Sequence, residues 1–61
     1  MTVNTRKGKI TAKKYTLNII CIAFSYAADK FREECYNGLA DSYNRVSEDI
    51  YNALNDSGYY N

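Results

Sequence analysis

The chain has 61 residues, with no His, Trp or Pro, two Cys and seven Tyr. That is one domain at most, and a chain this short buries only about 60% of the surface its unfolded form exposes. Without histidine it lacks Ser-His, Cys-His and His-metal constellations, so no catalytic activity, metal or cofactor is expected. The net charge of +1 hides an asymmetry. Residues 1–28 carry Arg6, Lys7, Lys9, Lys13 and Lys14 and no acid, a charge of +5. Residues 29–61 carry three bases and seven acids, a charge of −4.

Residues 1–12 read as a basic N-terminal arm, extended or weakly structured. A Lys7-Gly8 turn between Val3 and Ile10 is compatible with a small hairpin, but an isolated two-stranded hairpin is marginal in water. A mobile arm is therefore the expectation. Arg6, Lys7, Lys9, Lys13 and Lys14 are the candidates for contact with nucleic acid, where each phosphate neutralised makes binding salt-dependent. Only Tyr15 is close by as an aromatic, and no recognition-helix signature follows.

A helical period starts at Leu17 and predicts a first helix over 13–37. Leu17, Ile20, Cys21, Phe24, Ala27, Ala28, Phe31 and Cys35 follow the i, i+3, i+4 rule. Thr11 or Thr16 is the candidate cap. Ile19, Ile22, Ala23 and Tyr26 fall on other faces, so the first half of this helix is apolar nearly all round. Such a helix needs cover on every side, more than one hairpin partner supplies. A strand over 15–24 is the rival reading, given β-branched Ile19, Ile20 and Ile22. The period runs unbroken into the charged segment, which favours helix.

Asn37-Gly38 is the sharp breaker pair, and it predicts a turn over 38–41. A second helix follows over 42–56, capped by Asp41 or Ser42, with Tyr43, Val46, Ile50, Ala53 and Leu54 on its apolar face. Arg45 is placed to pair with Glu48 or Asp49. Gly58 ends the helix and leaves an aromatic tail over 57–61. One continuous helix from Ala12 to Asn55 is the alternative. It would be ~66 Å long, would drift off its stripe, and would hold Gly38 mid-helix at a cost of about 1 kcal/mol. The fold class expected is all-α, a two-helix hairpin behind a basic arm.

The cysteines bear on compartment. Cys21 and Cys35 on one helix stand ~21 Å apart along its axis, too far for the ~7 Å Cα limit of a disulfide. Buried free thiols in a reducing cytoplasm are the expectation. Residues 15–28 are uncharged, but as helix they rise only ~21 Å against a ~30 Å hydrocarbon core. The basic run, apolar run and Ser25-Tyr26-Ala27 also imitate a signal peptide, which Asn18 interrupts. A membrane role is not expected.

Two adjacent acid pairs, Glu33/Glu34 and Glu48/Asp49, diverge by about 100° on a helix and do not converge on one substrate atom. Function is expected in surfaces instead. Leu17, Ile19, Ile20, Ile22, Phe24 and Tyr26 are the candidate contact with a larger protein or a second copy. Tyr51, Tyr59 and Tyr60 add aromatic area, as tyrosines do at interfaces. Asp41, Glu48, Asp49 and Asp56 form a candidate acidic surface suited to a basic groove on a partner. The segment Tyr26-Ala27-Ala28-Asp29 with Glu33 resembles a stretch of the Hha family of nucleoid-associated regulators; it spans a few residues and implies no role for them. In size and style the chain looks like a small accessory protein of a phage or mobile element, anti-CRISPR inhibitors included. The reading is a non-enzymatic interaction protein, an inhibitor or regulator acting in the cytoplasm, that of a bacterial host if the chain is phage-encoded. The alternative is a dimeric nucleic-acid-binding regulator using the basic arm.

Overall fold

The computed structural model describes residues 1–61. Two antiparallel strands, β1 (Thr2–Thr5) and β2 (Gly8–Thr11), precede two helices, α1 (Lys14–Glu33) and α2 (Asn37–Asp56). The helices pack against each other, and β1 lies against α2.

The arm is thus a strand hairpin rather than a weakly structured segment. Its turn is Arg6-Lys7, with Thr5 opposite Gly8 and Val3 opposite Ile10. Gly8 takes a φ of +134°, which a side chain would resist. A hairpin of this length is marginal alone, and here it is not alone. Val3 is 2% exposed and joins Leu17, Cys21, Val46, Ile50 and Leu54 in the core. The Arg6 backbone N–H also donates to Asp49 Oδ2 at 3.1 Å, which pins the turn to α2.

The interhelical break falls at Glu34–Tyr36, not at 38–41. Cys35 is left-handed, with a φ of +66°. Around it the Tyr36 N–H donates to the Phe31 carbonyl at 2.8 Å and the Cys35 N–H to the Arg32 carbonyl at 3.1 Å. These are the two bonds of a Schellman motif, and the apolar contact that accompanies one is present as Phe31 against Tyr36, ring centroids 6.3 Å apart. Asn37 and Gly38 instead open α2, where the first turn tolerates glycine. The expected caps are not used either. Lys13 and Tyr36 occupy the N-cap positions without side-chain capping bonds, and Asp41 and Ser42 lie inside α2.

At the far end the motif recurs with the residue it favours. Gly58 has a φ of +81°. The Tyr59 N–H reaches the Leu54 carbonyl at 3.1 Å and the Gly58 N–H reaches Asn55 at 3.0 Å. Tyr59 folds back onto the core.

Nine residues are buried, among them Leu17, Ile50 and Leu54 as the large side chains with no exposure. Each contributes about 1.5–3 kcal/mol. Near the interhelical turn Ala28 and Ala40 are buried, small enough to let the helices close. Cys21 is buried as expected, but Cys35 is exposed, because the residue that ends α1 cannot also face the core.

Candidate functional surfaces

Leu17, Ile20 and Phe24 turn inward. Leu17 is fully buried and so not free for a partner, while Ile20 and Phe24 pack half-buried on the core. The rest of the apolar set stays outside. Tyr15 is 68% exposed, Ile19 48%, Ile22 61% and Tyr26 65%. At about 100° per residue these four share the face opposite Leu17, Cys21, Phe24 and Ala28. Their spacing of 4, 3 and 4 residues is that of a coiled-coil seam. Asp29 and Glu33 stand at the C-terminal end of this face, whereas Lys14, at the start of the helix, projects about 110° away from it. Lys30 leans over the Tyr26 ring, 5.6 Å from its centroid.

One aromatic cluster holds Tyr43 and another holds Tyr51, Tyr59 and Tyr60. Tyr43 stacks on Phe31 at 5.3 Å and meets Phe24 edge-on at 5.1 Å, bridging the helices. Tyr51 stacks on Tyr60 at 5.2 Å, and Tyr59 meets Tyr60 edge-on. The Tyr60 hydroxyl donates to Asn18 Oδ1 at 2.6 Å. Asn18 lies one helical turn from both Tyr15 and Ile22, so this aromatic pair adjoins the exposed stripe. Partial desolvation, then the proximity of Cys21, Tyr51 and Tyr59, raises the Tyr60 hydroxyl above its ordinary pKa of 10.0.

The candidate acids and bases neutralise one another in part. Arg6 Nε lies 3.6 Å from Asp49, so one of the five arm cations faces inward to α2. Asp41 holds Arg45 at 2.7 Å, in place of the expected pairing to Glu48 or Asp49. Glu48 accepts from Asn44 at 3.2 Å. Glu48 and Asp56 remain as acids of α2 without an ion pair, and Lys7, Lys9, Lys13 and Lys14 as bases without one.

A groove of about 430 Å³ opens between the hairpin and the helices. Lys7, Gly8, Lys9 and Ile10 form one wall; Phe24, Leu39, Tyr43 and Val46 form the other. The sequence signals for this groove were present but separate, because its two walls lie far apart along the chain. No group of three or more metal-type ligands converges anywhere. No helix is long and apolar enough to cross a membrane.

Comparison with protein-family models, curated proteins and solved structures found no match.

Proposed function

We propose that this chain is a non-enzymatic interaction protein that self-associates through the outer face of α1. The observation that carries the reading is the exposed stripe Tyr15, Ile19, Ile22 and Tyr26 on a helix whose other side already holds the core. Large side chains contiguous on a helix face mark a contact surface.

A second copy fits this face. In an antiparallel pairing centred between Ile19 and Ile22, Ile19 of one copy meets Ile22 of the other, and Tyr15 meets Tyr26. Each of these contacts occurs twice, as a two-fold interface requires. Such a pair would leave the groove and the α2 acids outward, for a larger protein that it inhibits or regulates. Small accessory proteins of phages and mobile elements are of this kind.

Light scattering after gel filtration tests the reading. The wild type should run at twice the 7.0 kDa chain mass, and Ile22→Lys should run at the single-chain mass with its helical circular dichroism intact. A wild type that stays monomeric at its highest soluble concentration overturns the self-association.

The four unpaired lysines support a second reading, binding to nucleic acid. Replacing Lys7, Lys9, Lys13 and Lys14 with Ala would then abolish a salt-dependent association with duplex DNA.

A further inference from the structure

We propose that the free edge of β2 is a strand-addition site for an extended, acidic segment of a partner protein. The site lies on a different surface from the α1 stripe and does not depend on it.

The hydrogen-bond pattern of the hairpin defines the edge. Met1 and Ala12 exchange two bonds, the terminal amine to the Ala12 carbonyl at 3.0 Å and the Ala12 N–H to the Met1 carbonyl at 3.0 Å. Antiparallel pairs alternate between bonded and non-bonded. With the register Thr2 to Thr11, Val3 to Ile10 and Asn4 to Lys9, the Thr11 and Lys9 pairs are therefore non-bonded. The Thr2 and Thr11 hydroxyls meeting at 2.8 Å fit the closer approach of such a pair. The N–H and C=O groups of Lys9 and Thr11 consequently point away from β1. The β1 backbone lies against α2, whereas the β2 backbone runs clear of both helices and its Ile10 side chain reaches inward to the core. Two donors and two acceptors face outward on that edge, evenly spaced, as a template for a third strand.

The groove beside this edge determines what the third strand carries. Ile10 lies on the inner face of the hairpin, opposite Val3, and Phe24, Leu39, Tyr43 and Val46 face it across the groove. A residue of the added strand beside Ile10 would point into this apolar space. Its neighbours, beside Lys9 and Thr11, would point to the opposite face, as side chains alternate along a strand. Lys9 stands there and Lys7 precedes it in the turn, both without an ion-pair partner. An apolar residue flanked by Asp or Glu at alternate positions complements this edge. A second copy of β2 does not, since it would bring Lys9 against another lysine-bearing edge.

The test is a titration of the isotopically labelled, full-length protein with the capped peptide Glu-Val-Glu-Leu-Glu-Val-Glu, followed by NMR. At saturation, Lys9 and Thr11 amide exchange should slow by about tenfold or more, with shifts confined to Gly8–Thr11 and the groove. The same peptide with Lys for Glu should give neither effect. Lys9→Glu should reverse that preference. Thr11→Pro should lose the protection while keeping the fold, because that N–H makes no bond within the hairpin. Equal binding of both peptides, or shifts without protection at Lys9 and Thr11, would overturn the proposal. Protection that appears on raising protein concentration alone would assign the edge to a second copy and equally refute it.

Discussion

Ser47 of α2 donates its hydroxyl hydrogen to the Cys21 carbonyl of α1 at 2.9 Å, and the Cys21 thiol reaches back to the Ser47 carbonyl at 3.3 Å. The Ser25 hydroxyl joins them, 2.6 Å from Ser47 Oγ. With the hydroxyl hydrogen of Ser47 committed to Cys21, Ser25 is the donor in that contact. This reciprocal node is the polar centre of the helix–helix interface, and it fixes the register of one helix on the other. Ser47 is 3% exposed, so its hydroxyl is tolerated only because each of its bonds is made within the protein.

Ser47→Ala should therefore destabilise the protein by about 1 kcal/mol, the usual net value of one buried hydrogen bond. Ser47→Val should cost more, about 1–3 kcal/mol, because added methyl groups must enter a closed interface. Urea denaturation of the two variants beside the wild type checks both magnitudes and their order.

Cys35 occupies a left-handed position that glycine fills without a steric penalty. Cys35→Gly should stabilise the chain by about 1 kcal/mol and raise the melting temperature by roughly 4–8 °C. Gly58→Ala, at the equivalent position of the second motif, should move stability the other way by a similar amount. Thermal melts followed by circular dichroism read both shifts, and a destabilised Cys35→Gly would refute the assignment of the break to this residue.

Asp49 holds the hairpin through the Arg6 backbone N–H at 3.1 Å and, more weakly, the exposed guanidinium at 3.6 Å. Asp49→Ala should cost up to about 1 kcal/mol, in the range of a surface ion pair. Its sharper signature is local. The Arg6 amide should exchange with solvent markedly faster, while amides in the middle of α1 keep their protection. Exchange measured residue by residue separates this outcome from global loosening.

Tyr60 makes stability fall at high pH. Its hydroxyl has a raised pKa in the folded protein, so the folded state holds the proton more tightly than the unfolded chain. That contribution is complete below the ordinary value of 10.0 and is lost as pH rises through the folded value. Denaturation midpoints should be level up to about pH 9 and decline above pH 10 in the wild type. Tyr60→Phe should start less stable, having lost the bond to Asn18, but decline less.

The periodicity of Leu17, Cys21, Phe24 and Ala28 against Val46, Ile50 and Leu54 was enough to specify two helices that pack face to face, since a 3.6-residue period leaves one buried side to each. The same count left Ile19, Ile22 and Tyr26 without cover, and they remain exposed in the folded chain. Where the helices part was not legible. Asn37-Gly38 has the stronger local turn signal, yet Cys35 takes the left-handed turn because Phe31 and Tyr36 then pack across it. The arm's strand pairing was hidden for a related reason. Four-residue strands have too little to gain locally, and burial of Val3 between helices more than 10 residues downstream supplies what they lack. Local pattern thus dictated which residues turn inward along each helix, a matter of period alone. Where the chain reverses, and that the arm is a hairpin with an open edge, depended on contacts between residues distant in the chain, whose energy no short window contains.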